Sequence, residues 1–142
     1  MACGTGGTLA GLLTGLAGTR QAIGVAALKN ADFLRADIDA LTRAGTGATY
    51  TNWKLHTNYH LGGYAAYSAE LMEFIRQFQA RHGVLLDPLY TGKLLYAILD
   101  LLEQDYFAPD STVVAVHTGG LQGWQGFRQR FESRSAWWPV VG

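Results

Sequence analysis

The chain has 142 residues, of which 49% are hydrophobic and 15% are charged, a composition that suits one globular domain and excludes wholesale disorder. Its 11 basic and 11 acidic side chains balance, so charge indicates neither a nucleic acid nor an anionic membrane as a partner. The single cysteine excludes an internal disulfide, no secretory signal opens the chain, and the apolar stretch from Leu9 to Leu16 is too short to cross a bilayer. We therefore expect a cytoplasmic protein.

The first half of the chain predicts helices and strands in alternation. After the glycine-rich residues 3–8, small residues and leucines predict a helix from Thr8 to Ala17, and Ala22 to Leu28 is a continuous apolar run typical of a buried strand. Asn30 is an N-cap candidate for a helix with four apolar residues on one side, Phe33, Leu34, Ile38 and Leu41. Thr57 to Tyr64 begins like a strand, although Gly62 and Gly63 leave its end open.

The second half contains the clearest helix, which follows Ser68 and ends before Gly83 with apolar residues at helical spacing, Leu71, Phe74, Ile75 and Phe78. Asp87-Pro88 predicts a turn, and a further helix is predicted from Gly92 to Gln104. The β-branched run from Thr112 to Val116 predicts a strand that ends at His117. Together these elements predict an α/β fold with an open, mostly parallel sheet flanked by helices.

The glycine-rich turn consists of Gly4, Thr5, Gly6, Gly7 and Thr8, and it opens a predicted helix. Backbone N–H groups and two hydroxyls at a helix N-terminus favour an anion such as phosphate. The turn is not a Walker A loop, and Leu9 breaks the dinucleotide fingerprint. Taken alone, the pattern is equally typical of a tight turn that allows close packing. Only Met1 and Ala2 precede Cys3, where a feeding strand of about five residues is usual, so we expect a truncated sequence.

Other candidate residues have structural interpretations that are more common than functional ones. Tyrosines usually serve as packing residues, Thr91 suits a helix N-cap, and His117 suits a hydrogen-bonded structural histidine. One cysteine and scattered histidines give little support to a zinc site, and nothing near Cys3 indicates a lowered thiol pKa. Three tryptophans near the end of the chain suit packing or an interface, Trp124, Trp137 and Trp138.

Four motifs carry a resemblance: Cys-Gly-Thr-Gly-Gly-Thr at 3–8, Tyr-His-Leu-Gly-Gly-Tyr at 59–64, Leu-Leu-Asp-Pro-Leu-Tyr-Thr-Gly-Lys at 85–93 and His-Thr-Gly-Gly-Leu-Gln-Gly at 117–123. In order and spacing they resemble the family of 1-aminocyclopropane-1-carboxylate (ACC) deaminase and D-cysteine desulfhydrase, pyridoxal 5'-phosphate (PLP) enzymes of fold type II. The third and fourth motifs are specific, and the match extends over nearly the whole chain. The resemblance implies that residues 1–142 form the C-terminal portion of a catalytic domain like the tryptophan synthase β subunit.

The resemblance also implies roles by position. The turn from Gly4 to Thr8 would wrap the PLP phosphate, while Tyr64 and Tyr90 would face the substrate and take part in proton transfer or nucleophilic steps. Thr91 would be the partner of the pyridine nitrogen, and its neutral hydroxyl would leave that nitrogen largely unprotonated. Residues His117 to Gly120 would close the cofactor pocket.

The substrate implied is a small amino acid. ACC deaminases carry glutamate at the position of Thr91 and leucine at that of Thr118, so both threonines resemble the desulfhydrases. We therefore expect β-elimination of D-cysteine to pyruvate, ammonia and sulfide, with ACC deamination as the alternative.

The resemblance places the Schiff-base lysine in the N-terminal half of such enzymes, whereas the lysines here are Lys29, Lys54 and Lys93, and Lys93 matches a lysine with another role. We expect this chain alone to be inactive and the full-length protein to be a homodimer. Two alternatives stay open. In the first, the chain is a binding module that holds a phosphate or nucleotide without catalysing a reaction. In the second, it is a fragment that pairs with a complete homologue through Trp137 and Trp138.

Overall fold

The structure is a computed structural model that describes residues 1–66 and 68–131. Within these residues, three strands form one parallel sheet in the order β1-β2-β3, namely β1 (Ala2–Cys3), β2 (Ala22–Ala26) and β3 (Trp53–His56). Five α-helices accompany the sheet, namely α1 (Gly7–Leu16), α2 (Leu34–Thr46), α3 (Ala69–His82), α4 (Thr91–Glu103) and α5 (Gly123–Phe131). The predicted α/β class with a parallel sheet and flanking helices is confirmed. None of the described helices has the length and apolar character that a membrane crossing requires.

The central strand β2 pairs with both neighbours, with Cys3 opposite Ala26 and Gly24 opposite Leu55. A Cβ atom on Gly24 would lie 2.7 Å from Leu9 Cδ2, 2.9 Å from Cys3 Sγ and 2.9 Å from Leu55 Cδ1. Real Cβ atoms do not approach other atoms this closely, so glycine at this position lets α1 and both outer strands pack tightly on β2.

The core has three parts, each attached to different helices. The first joins α1, α2 and the sheet through buried residues that include Leu9, Leu13, Leu34 and Ile38. The second joins α3 to α5 through Leu71, Ile75, Leu86, Trp124 and Phe127. The third lies along α4 and contains Val25, Tyr59, Leu94, Ala97 and Leu101. The predicted packing role of Trp124 is confirmed, because its ring is buried and its Nε1–H donates to the Leu86 carbonyl at 3.0 Å.

The helix predicted between Ser68 and Gly83 is confirmed, and both of these residues cap it as expected. The Ser68 hydroxyl oxygen accepts a hydrogen bond from the Leu71 backbone N–H at 3.4 Å, and Gly83 ends α3 with a φ of 68°. Leu71 and Ile75 are buried, while Phe74 and Phe78 are partly buried against the same core. Local sequence chemistry therefore specifies this helix.

The predicted inward face of α2 was wrong in two of its four residues. Phe33 is 56% exposed and Leu41 is 48% exposed, while Leu34 and Ile38 are buried. The third position of the buried face is Thr42, whose hydroxyl donates to the Ile38 carbonyl at 2.7 Å and so loses no hydrogen bond on burial. Asn30 forms no side-chain cap, since it precedes a short 3-10 helix, Ala31–Phe33, from which α2 continues.

Two predicted strands were also wrong. The third strand ends at His56, and residues 58–65 form turns, so no strand runs from Thr57 to Tyr64. The run from Thr112 to Val116 forms no strand, and Val114 is 77% exposed. A β-branched run favours a pleated, half-buried surface only where a neighbouring strand supplies hydrogen bonds, and none of the described strands pairs with it. Trp137 and Trp138 lie outside the described residues.

Candidate cofactor site

The glycine-rich turn connects β1 to the N-terminus of α1. Gly6 is the N-cap residue, with a φ of 81°, and a Cβ atom there would lie 2.5 Å from Ile38 Cγ1. Both the left-handed backbone and the close approach of α2 therefore require glycine at this position. The tight-turn interpretation of the motif is correct in this respect, but it does not account for the rest of the turn.

The outer side of the turn presents unshielded donors. Thr5, Gly7 and Thr8 are exposed, no side chain caps α1, and its first turn contains no acidic residue. The first N–H groups of a helix have no partner within the helix and carry its positive dipole end. Backbone donors, two hydroxyls and the absence of a nearby carboxylate in that first turn suit a phosphate group, so these residues fit the anionic end of PLP.

Tyr90 lies directly against this turn. A Cβ atom on Gly4 would be 3.1 Å from both Cε1 and the hydroxyl oxygen of Tyr90, so only glycine leaves the tyrosine ring in place. The Tyr64 ring lies 6.0 Å from the Tyr90 ring between centroids and is 53% exposed. The fold thus brings together three of the motifs that lie far apart in the sequence.

The Tyr90 hydroxyl keeps its proton at neutral pH. Burial raises the pKa of Tyr90 to about 12, and the neighbouring Tyr64 and the Asp87 carboxylate add to the rise. A phenol in this state donates a hydrogen bond and does not act as a base near neutrality.

Asp87 organises the N-terminus of α4. Its buried carboxylate accepts four hydrogen bonds of 2.6–2.9 Å, from the backbone N–H groups of Leu89, Tyr90 and Thr91 and from the Thr91 hydroxyl. The sequence pattern predicts only a turn at Asp87-Pro88. An aspartate four residues before the first threonine of a helix was the signal for this carboxylate cap.

The Thr91 hydroxyl is fully engaged by Asp87. It donates to Asp87 Oδ2 at 2.6 Å and accepts from the Asp87 backbone N–H at 2.8 Å, and the residue is buried. Because the single hydroxyl proton is donated to Asp87, none is left in this arrangement for an unprotonated pyridine nitrogen, and the remaining lone pair could only accept from a protonated one. Thr91 is not the N-cap that the sequence predicts, because Tyr90 occupies that position without a side-chain cap, and the Asp87 carboxylate accepts from the Tyr90 and Thr91 N–H groups.

The loop after residue 116 packs on the same carboxylate. His117 is a hydrogen-bonded structural histidine, as expected, with Nδ1 accepting from the Gly119 N–H at 3.1 Å and Nε2 at 3.1 Å from the Leu85 carbonyl. Because Nδ1 accepts, the ring proton lies on Nε2. A Cβ atom on Gly120 would be 3.2 Å from Asp87 Oδ2, so glycine allows this close approach.

Metal and thiol chemistry find no support in the part of the chain that the structure describes. No three His, Cys, Asp or Glu side chains there are grouped to hold a metal ion. Burial raises the pKa of the Cys3 thiol to about 11, in line with the expectation that it is not activated.

Most of the chain is similar to known proteins. The sequence profile of the family described as "Pyridoxal-phosphate dependent enzyme" matches residues 1–119. A Pyrococcus furiosus protein named "Putative 1-aminocyclopropane-1-carboxylate deaminase" is 38% identical over 130 residues, which cover 87% of this chain and 39% of that protein. The D-cysteine desulfhydrase of Salmonella newport is 32% identical over 127 residues, which cover 84% of this chain and 39% of the relative.

A solved structure described as that of an ACC deaminase homologue superposes with a TM-score of 0.81 at 29% identity. The superposition covers 93% of this chain and 42% of that structure. The chain therefore spans about two fifths of the length of the relatives that it matches.

Proposed function

Because the chain belongs to the pyridoxal-phosphate-dependent enzymes, we propose that it supplies the phosphate turn and two active-site tyrosines of an enzyme that deaminates a small amino acid. The observation that carries this proposal is the Tyr90 hydroxyl packed against Gly4, because it places a proton donor beside an anion-binding helix N-terminus. PLP, when bound, supplies the electron sink for the amino acid's α-carbon.

In this proposal each part of the site has a distinct task. Gly4 to Thr8 bind the phosphate through backbone N–H groups and the hydroxyls of Thr5 and Thr8. Tyr90 holds a proton at its hydroxyl oxygen, because its pKa lies well above neutrality, and donates toward the reacting end of the substrate. Tyr64, half exposed next to Tyr90, contacts the substrate from the other side.

The proposed substrate is D-cysteine. In the balanced reaction, D-cysteine and water give pyruvate, ammonia and hydrogen sulfide. The alternative, ACC deamination, consumes ACC and water and gives 2-oxobutanoate and ammonia. Relatives with both names match the chain at comparable identity, so the preference rests on Thr91 and Thr118, the two positions that resemble the desulfhydrases.

We further propose that residues 1–142 do not catalyse alone. The resemblance assigns the Schiff-base lysine to the N-terminal half of these enzymes, and the chain spans about two fifths of its relatives. Lys93 does not replace that lysine, since its ammonium is buried and bonded to two backbone carbonyls. The complete enzyme is proposed to be a cytoplasmic homodimer.

The test uses a full-length protein that contains this chain, loaded with PLP and given D-cysteine, L-cysteine or ACC. The expected result is pyruvate with equimolar sulfide from D-cysteine, in excess of 2-oxobutanoate from ACC when both oxo acids are separated and quantified. The isolated 142-residue chain serves as the comparison and should release neither product. Absence of both oxo acids from the full-length protein would reject the activity, while an excess of 2-oxobutanoate would reverse the substrate assignment.

A further inference from the structure

Lys93 is a buried cation that joins the turn before Tyr64 to the central strand. The side chain, on α4, is only 1% exposed. Its Nζ donates to the Gly63 carbonyl at 2.7 Å and to the Ala27 carbonyl at 3.0 Å. Ala27 directly follows β2, and Gly63 directly precedes Tyr64, so one ammonium group links α4, the end of β2 and the tyrosine turn.

A contribution to the stability of the fold does not by itself account for the buried ammonium of Lys93. Within the described residues, no carboxylate lies within salt-bridge distance of Lys93, and burial lowers the pKa of Lys93 to about 8 although Asp87 opposes the shift. A buried ammonium is costly even when its donors are used, and an apolar side chain of similar length would fill the space without that cost. The two carbonyls that it binds indicate a role in fixing geometry.

Within the described residues, one backbone hydrogen bond of ordinary length closes the turn that Lys93 holds, from the Gly63 N–H to the His60 carbonyl at 3.0 Å. Gly62 and Gly63 have φ values of 101° and 111°, which are open to glycine but strained for other residues. The Gly63 carbonyl also accepts from the Ala66 N–H, at a long 3.3 Å, so the bond from Lys93 at 2.7 Å is the shorter of the two. Tyr64 itself is half exposed, and its ring contact with Tyr90 depends on where this turn lies.

We propose that Lys93 is a positioning residue that fixes Tyr64 beside Tyr90 by holding the Gly63 carbonyl against the end of β2. Lys93 itself does not contact the reacting atoms. The catalytic consequence rests on the proposed function of Tyr64, but the positioning is a structural claim that can be tested without any activity.

The first test measures hydrogen exchange in Lys93→Met, which removes the ammonium and keeps a stem of similar length. We expect amides of residues 60–66 to exchange about tenfold faster, while those of α1 and α3 stay unchanged. The matched control is Lys29→Met, because Lys29 is exposed and its atoms nearest to the Cβ position of Gly63 are methylene carbons, so exchange should be unaltered. Unchanged exchange at residues 60–66, or a uniform rise in every segment, would overturn the proposal.

A second variant covers the case in which Lys93→Met fails to fold. Lys93→Gln keeps two N–H donors without the charge and at a shorter reach, so exchange at residues 60–66 should again rise selectively. Equal exchange in this variant and in the original chain would contradict the positioning role.

The second test is a double-mutant cycle in the active full-length enzyme. Lys93→Met should lower kcat with little change in KM, and it should cause no further loss in a Tyr64→Phe background, because the lysine acts through that tyrosine. Losses that multiply would show that Lys93 acts by another route. A selective exchange response in a protein without any deaminase activity would keep the positioning role and reject the proposed function alone.

Discussion

At the residue scale, burial keeps a tyrosine and a thiol protonated beyond the pH at which each ordinarily titrates. Tyr90 and Cys3 both have raised pKa values because they are removed from water, and the Thr91 hydroxyl donates a hydrogen bond to Asp87. The site therefore presents donors at neutral pH, and its carboxylate is used internally by α4. Such an excess of hydrogen-bond donors suits an anionic cofactor and a substrate that must receive a proton.

Cys3 gives a test of this environment through stability. Its thiol has an ordinary pKa of 9.0 and a folded pKa of about 11, so between these values the folded chain binds more protons than the unfolded chain. The stabilisation that the Cys3 thiol contributes is therefore fully present below pH 9, and it decreases as the pH rises toward 11. We expect the difference in unfolding free energy between the original chain and Cys3→Ala to shrink by on the order of 2 kcal/mol over that range. Urea titrations at a series of pH values measure it, and a constant difference would show that the thiol is not desolvated.

At the element scale, the start of α4 depends on one carboxylate. In Asp87→Asn an amide NH₂ would replace one of the two acceptor oxygens, so either the Thr91 N–H and hydroxyl or the Leu89 and Tyr90 N–H groups would face a donor. A loss of about 1–3 kcal/mol in unfolding free energy is expected, since buried donors would lose their acceptor. Chemical denaturation measures the change. Asp105→Asn, at an exposed position after α4, is the matched control, and equal effects of both substitutions would contradict the capping role.

The packing of α1 on β2 gives a second prediction at this scale. Gly24→Ala would place a methyl group within 2.9 Å of three side chains, so a loss of about 1–3 kcal/mol is expected from overpacking. Gly11→Ala, in α1 with no atom near its added Cβ, should instead raise stability by up to about 1 kcal/mol through helix propensity. Thermal or chemical unfolding should therefore show changes in stability of opposite sign for the two substitutions. No change in stability for Gly24→Ala would mean that the sheet and α1 are not packed as described.

Sequence patterns predicted an element correctly where the contacts that stabilise it lie nearby in the sequence. Ser68 and Gly83 specify both ends of α3 through bonds to nearby residues, and that helix was predicted correctly. The run from Thr112 to Val116 has equally clear local chemistry, but a strand requires a partner distant in sequence, which no local pattern reports. The Asp87 carboxylate is an intermediate case, because its partners are local but Pro88 makes the same residues typical of a simple turn.

At the scale of the whole molecule, the site forms where separate elements meet. The glycine turn follows β1, Tyr64 lies in the turns after β3, and Tyr90 precedes α4. Spacing alone left the glycine turn undecided between packing and phosphate binding, and the tyrosines were assigned through resemblance to a family. The fold adds the contact of Tyr90 with Gly4 and the tie of Lys93 to Gly63, which no sequence pattern contained.

The central claim is that the turn from Gly4 to Thr8 binds the phosphate of PLP, and the most direct test compares PLP with pyridoxal, which lacks only the phosphate. In a full-length protein containing this chain, equilibrium binding followed by the visible absorbance of the cofactor should be much tighter for PLP. Thr5→Ala combined with Thr8→Ala should weaken PLP binding by about a hundredfold or more and leave pyridoxal binding unchanged, since each charge-assisted hydrogen bond contributes roughly 1.5–3 kcal/mol in favourable cases. Thr14→Ala, an exposed position on the same helix, should change neither affinity. Equal weakening of PLP and pyridoxal by the double substitution, or no weakening of either, would contradict the account.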